Sequence, residues 1–108
     1  MNVWATWCGP CREELPYVQK LADRLKDRPD LQVLTFSVDE NPGVLEPFLK
    51  PLGFRFPVLL AKFYVDSLVE SLSIPRNWII GPDGVLLKEQ LGFGRTDIWI
   101  EEVLRELQ

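Results

Sequence analysis

The sequence predicts an α/β fold, a mixed central β-sheet flanked by helices on both faces. Three observations carry that expectation. Short apolar, β-prone runs alternate with segments of helical periodicity. A helix separates the first two runs, which implies a right-handed crossover and parallel pairing. Gly81-Pro82-Asp83-Gly84 is a tight-turn sequence that folds the last two runs into an antiparallel hairpin. A chain of 108 residues suffices for one small domain and is too short for two.

Met1 to Ala5 is apolar and β-prone, and Trp7-Cys8-Gly9-Pro10-Cys11 interrupts it. From Arg12 to Lys26 the apolar Leu15, Val18, Ala22 and Leu25 recur at helical spacing, with Pro16 inside as an expected kink. Asp27 to Asp30 reads as a turn and Leu31 to Val38 as a buried strand. Asp39 to Gly43 is a polar loop and Val44 to Leu52 a short helix. Phe56 to Ala61 follows as a brief strand and Phe63 to Leu72 as a helix. Ile74-Pro75 punctuates the chain before two strands, Arg76 to Ile80 and Val85 to Leu91. A last helix starts at Thr96 or Asp97 and carries Ile100, Val103, Leu104 and Leu107 on one face. The order is βαβα, an extra segment, then ββα, without repeats, low-complexity tracts or linkers.

Composition narrows the chemistry. Apolar residues make up 46% and charged residues 26%, so a packed core is within reach. A net charge of -4 leaves no basic face to track phosphates, which argues against nucleic acid as a partner. Histidine is absent, which removes Ser-His and Cys-His nucleophile pairs and zinc sites of the HExxH type. No apolar stretch is long enough to span a bilayer. Met1-Asn2-Val3-Trp4 lacks the basic and apolar regions of a signal peptide.

The two cysteines, Cys8 and Cys11, cannot build a disulfide scaffold, because a four-residue ring constrains little of the unfolded chain. Two thiolates without histidine also fall short of a structural zinc site, and nothing calls for a metal, nucleotide or flavin. Redox chemistry remains. Two intervening residues in a first helical turn bring both sulfurs within bonding reach. Cys8 falls at the helix N-terminus, where free N–H groups and the helix dipole favour a thiolate. Cys11, one turn further in, is expected to be the more buried, resolving thiol. Cys8 then attacks a substrate disulfide, and Cys11 displaces the product and closes the Cys8–Cys11 bond. A pair of incidental structural cysteines is the alternative.

At these residues the sequence resembles the thioredoxin superfamily. The stretch Trp4-Ala5-Thr6-Trp7-Cys8-Gly9-Pro10-Cys11-Arg12-Glu13-Glu14-Leu15-Pro16 resembles more narrowly the TlpA/ResA-type thiol–disulfide oxidoreductases. Phe56-Pro57-Val58-Leu59-Leu60 is similar to that family's added segment, and Pro82-Asp83-Gly84 with Gly92 to its closing hairpin and exit. The resemblance implies a thioredoxin fold and a cis Ile74–Pro75 peptide facing Cys8. The Ile74 backbone would then pair with an extended substrate. Read without the family, Pro75 is an ordinary trans proline ending a loop.

The resemblance also places a glutamate at Glu14, three residues after Cys11 and on the same helical face. Held under the sulfurs, Glu14 would take the Cys11 proton during resolution, provided burial raises its pKa. The other reading is an exposed helix residue beside Glu13. Thioredoxins proper instead carry a buried Asp on the preceding strand, where this chain has Asn2. Trp7, Gly9 and Pro10 surround the nucleophile as substrate contacts, with Trp7 an apolar platform, whereas Trp4 is assigned to the core. Arg76 stands where the family often has Thr; it reads as a determinant for acidic substrates or as a solvated arginine. Phe48, Phe54, Phe56 and Phe63 are read as core under the added segment, and Asp39 and Glu40 as a solvated loop.

The family usually has an extra hairpin or strand–helix unit before the redox strand, whereas here only seven residues precede Cys8. Residues 1–108 are therefore read as a single thioredoxin-like domain, a fragment of a longer polypeptide with N-terminal elements missing. An uncovered sheet edge is the expected result. A membrane tether or export signal would lie in that missing sequence, and resemblance points to an extracytoplasmic site. The expected partners are protein disulfide or dithiol substrates and an upstream thiol reductant, met by a monomer. Gly9-Pro10 resembles the reducing thioredoxins and so favours a reductase. An oxidase or isomerase of the same fold is one competitor, and an interaction module with a vestigial redox pair is another.

Overall fold

Every side chain of the first strand, β1 (Asn2–Trp4), is buried, which requires neighbours on both edges and cover on both faces. The computed structural model, which describes residues 1–92 and 97–107, supplies them. β1 lies at the centre of a five-stranded sheet with β2 (Thr35–Ser37), β3 (Val58–Leu60), β4 (Arg76–Ile80) and β5 (Leu86–Leu91), in the order β3-β2-β1-β4-β5. The strands β1, β2 and β3 run parallel, with Val3 beside Phe36 and Phe36 beside Leu59. β4 runs antiparallel to β1, setting Asn2 opposite Asn77 and Val3 opposite Arg76. The mixed sheet expected from the crossover helix and the tight turn is therefore present. In that turn Gly84 adopts φ 83°, a region that disfavours any side chain, and donates its N–H to the Gly81 carbonyl at 3.0 Å.

Alternation along the strands puts Asn2, Trp4 and Asn77 on one face and Val3, Phe36 and Arg76 on the other. The first face is covered by α1 (Gly9–Leu25), α2 (Leu45–Leu49) and α4 (Asp97–Glu106). Leu15, Val18, Trp99 and Ile100 are buried there, Trp4 packs on Phe48 at 5.7 Å between ring centres, and Trp99 Nε1 donates to Gln90 Oε1 at 2.8 Å. The second face is covered by α3 (Lys62–Leu68), through fully buried Val65 and an edge-on contact of Tyr64 with Phe36 at 5.9 Å.

Several boundaries differ from expectation. Helix α1 begins at Gly9, directly after Cys8 as the dithiol spacing implies, but runs unbroken through Pro16 to Leu25. β2 is confined to Thr35–Ser37 instead of spanning Leu31 to Val38. A strand extends only as far as its partners do, and β1 and β3 offer three residues each. Helix α3 ends at Leu68, short of Leu72, because Val69 turns to extended backbone. The possible helix start at Thr96 lies outside the described residues. Phe63 is 88% exposed, so its assignment to the core is wrong: it falls on the outer side of α3, while Phe48, Phe54 and Phe56 pack inward. The outer strands β3 and β5 leave Leu59, Leu60, Leu86 and Leu91 about half exposed.

The loop between α2 and β3 is anchored to α1. The Arg55 backbone N–H donates to Gln19 Oε1 at 2.6 Å and its guanidinium to Asp23 Oδ1 at 2.9 Å. The hydrogen bond from Arg55 and, next, one from Gln19 Nε2 to Asp23 Oδ1 at 2.9 Å hold the Asp23 carboxyl below its ordinary range. In urea unfolding, Leu15→Ala should lower stability by about 3 kcal/mol through the cavity it leaves. Leu59→Ala, at an exposed edge, should cost less than about 1 kcal/mol.

Candidate active site

The parallel strands β1, β2 and β3 all end at one edge of the sheet, and the segments leaving them converge there. β1 leads through Thr6 and Trp7 to Cys8, the N-cap of α1, in extended backbone with φ -94° and ψ 109°. Gly9 and Pro10 form the exposed first helical turn, where the missing proline N–H costs no hydrogen bond. Cys8 and Cys11 are joined in a disulfide, with Cα atoms 5.2 Å apart. Cys8 Sγ also accepts the Cys11 backbone N–H at 3.2 Å. That contact directs a helix N-terminal N–H at the sulfur on which a thiolate would form. The first turn contains no acidic side chain to oppose it. Cys11 is fully buried and Cys8 is 6% exposed, whereas Trp7 beside them is 65% exposed.

The register of β4 against β1 carries the Ile74–Pro75 peptide to the same edge, since Arg76 faces Val3 and the next position back falls opposite Trp4. That peptide is cis. Pro75 is buried and Ile74 half-buried, and the Pro75 carbonyl accepts the Gly92 N–H at 2.9 Å.

Glu14 is fully buried, which removes the reading of it as an exposed helix residue. Its Oε1 accepts Asn2 Nδ2 at 2.6 Å and Asn77 Nδ2 at 2.8 Å. Asn2 Nδ2 also donates to Asn77 Oδ1 at 2.8 Å, so the three side chains form a closed ring between α1, β1 and β4. Asn77 escaped the sequence reading because it sits within the strand Arg76 to Ile80, where nothing distinguishes an inward polar residue from an outward one.

Residues 1–104 match the family model described as Redoxin. The chain belongs to the Redoxin family. Among the curated relatives of this redoxin is the thiol-disulfide oxidoreductase ResA of Bacillus thuringiensis subsp. konkukian, 28% identical over 108 residues, covering 99% of this chain and 61% of the relative. The ResA of Bacillus subtilis is 29% identical over 93 residues, covering 85% of this chain and 51% of the relative. The redoxin thus spans about half to three-fifths of the length of these relatives. Among solved structures, a putative thiol:disulfide interchange protein DsbE from Chlorobium tepidum superposes with a TM-score of 0.83 at 26% identity, covering 99% of this chain and 77% of that one. A putative thioredoxin from Neisseria meningitidis gives 0.78 at 25% identity, covering 96% and 70%. The fold is the thioredoxin fold.

Two residues of this redoxin behave otherwise than their sequence suggested. Asp39, read as part of a solvated loop, is 3% exposed. Its carboxylate accepts the Thr6 N–H at 3.1 Å, Thr6 Oγ1 at 2.7 Å and Ser37 Oγ at 2.7 Å. It thereby ties the end of β2 to the loop that carries Trp7 and Cys8, while Glu40 stays exposed. The local signal was present in Ser37, two residues before Asp39, and in the polar Thr6, but pairing them needs the parallel register of β1 and β2. Arg76, expected to be solvated, is 7% exposed. Its guanidinium donates to the carbonyls of Ser73 at 3.2 Å and Ser71 at 3.4 Å and lies 3.5 Å from Glu89 Oε2. These contacts turn the side chain inward to brace the segment before Pro75. Asp39→Ala strands three donors and should cost about 3 kcal/mol in denaturant unfolding. Glu40→Ala should stay within about 0.5 kcal/mol of the parent.

Proposed function

We propose that this redoxin is a thiol–disulfide oxidoreductase that reduces disulfides in protein substrates. The observation that carries this reading is the Cys8–Cys11 disulfide closed across the first turn of α1, with an N–H of the helix aimed at Cys8 Sγ. The name thiol-disulfide oxidoreductase borne by the ResA relatives supports it. Cys8 is the nucleophile because it is the N-cap sulfur and the less buried of the two. Its thiolate attacks a substrate disulfide, one substrate sulfur leaves as a thiolate, and a mixed disulfide forms on Cys8. Cys11 then passes its proton to Glu14 and attacks Cys8 Sγ, so the second substrate sulfur leaves. The two electrons end on the substrate dithiol, and the Cys8–Cys11 bond holds the oxidising equivalent until an upstream thiol reductant opens it.

Residues 1–108 act in this reading as a single thioredoxin-like domain and as a monomer. Trp7, Gly9 and Pro10 form the exposed platform beside Cys8, and the Ile74–Pro75 segment presents main-chain groups to an extended substrate. The acidic-substrate role of Arg76 is replaced by bracing of that segment, since its donors are turned inward. The site of action is extracytoplasmic, by likeness to the ResA relatives. Among the described residues no helix is long and apolar enough to cross a membrane.

Titration of the Cys8–Cys11 pair against dithiothreitol or glutathione buffers, with alkylation to count thiols, should give a midpoint near that of thioredoxin, about -270 mV. A midpoint at or above the glutathione pool would assign disulfide donation or isomerisation instead. Cys11→Ser should accumulate a mixed disulfide with a protein substrate, and Cys8→Ser should form none. A Cys11→Ser protein that accumulates no such adduct leaves the dithiol without an exchange role.

A further inference from the structure

We infer that Asn77, with Asn2, is a positioning residue that fixes which oxygen of Glu14 receives the Cys11 proton. The inference rests on the reading of Glu14 as the proton acceptor during resolution. Asn2 and Asn77 are directly opposed across the β1–β4 pair, so their side chains emerge side by side on the face that α1 covers. Both amides donate to the same carboxylate oxygen, Oε1, at 2.6 and 2.8 Å, and Asn2 Nδ2 reaches Asn77 Oδ1 at 2.8 Å. Asn2, Asn77 and Glu14 are 3%, 9% and 0% exposed. Away from water, an oxygen that already takes two N–H donors has little capacity left for a proton.

The proton released by Cys11 therefore goes to Oε2. The amide pair also holds the carboxyl plane in one orientation as protons come and go, since neither amide titrates. The step balances. The Cys11 S–H proton passes to Oε2, the Cys11 thiolate bonds to Cys8 Sγ, the substrate sulfur leaves with the electron pair, and Glu14 later returns its proton to solvent. Asn77 touches neither sulfur nor substrate in this scheme; it acts through Glu14.

Rapid mixing of the reduced protein with an aromatic disulfide that releases a coloured thiol separates the steps. The first equivalent reports attack by Cys8 and the second reports closure by Cys11. Asn77→Leu keeps the volume and removes one donor. It should slow the second phase relative to the first by about tenfold, because a carboxyl no longer held in one plane presents Oε2 to Cys11 in only a fraction of its orientations. Asn77→Asp keeps the shape but sets a second carboxyl against Oε1. The pair should then titrate together, and the pH profile of the second phase should spread into two steps where the parent shows one.

If Asn77→Leu is too unstable to show a first phase, the isosteric Asn77→Asp profile decides. A single-step second phase with parental rate and midpoint in Asn77→Asp overturns the positioning role, provided Glu14→Gln slows that phase. A Glu14→Gln protein whose second phase is as fast as the parent's overturns the assignment of Glu14 itself.

Discussion

The antiparallel pairing of β4 with β1 is the constraint on which the rest of this structure depends. Without it the redox helix would still have a dithiol at its N-terminus, but nothing opposite it. Setting Arg76 against Val3 brings the cis Ile74–Pro75 peptide to the sheet edge from which Cys8 departs. The same register lays Asn77 beside Asn2 beneath α1 and gives a fully buried glutamate its two amide partners. A one-residue slip would turn Asn77 to the opposite face and set Arg76 or Trp78 opposite Asn2 in its place. The cis Ile74–Pro75 peptide and the interior carboxyl are thus placed by one alignment of main-chain hydrogen bonds.

Around that alignment the polar interior is organised by acceptor capacity. Glu14 and Asp39 are both buried carboxyls, yet they are held for different ends. Asp39 spends its oxygens on Thr6 and Ser37 and so anchors the loop leading to Cys8. Glu14 gathers two amides on one oxygen and lies a helical turn below Cys11. Arg76 does for the segment before Pro75 what Asp39 does for the segment before Cys8, through the carbonyls of Ser71 and Ser73. The segments before Cys8 and before Pro75 are therefore each held by a charged group through hydrogen bonds within the chain.

Much of this could be read along the chain. The periodicity of Leu15, Val18 and Leu25, the hairpin at Pro82-Asp83-Gly84 and the spacing of Cys8 and Cys11 are local signals, and each produced the expected local element. The cis Ile74–Pro75 bond and the burial of Glu14 followed from family resemblance, because a dipeptide and a helix position carry no such information alone. What escaped was decided by partners distant in sequence. Asp39 lies 33 residues from Thr6, and Asn77 lies 63 from Glu14. Phe63 erred in the other direction, an aromatic assigned to the core by composition and turned outward by the phase of α3.

The closed Cys8–Cys11 ring has a consequence for communication. Its Cα atoms, 5.2 Å apart, already have the spacing of a first helical turn, and Thr6 is pinned through both its N–H and its hydroxyl. The Cα spacing itself need not change for the bond to open, since rotation about side-chain torsions separates the sulfurs. The backbone spacing of that turn is therefore compatible with the closed and the open ring alike, so the difference between the two oxidation states begins at the sulfur atoms themselves.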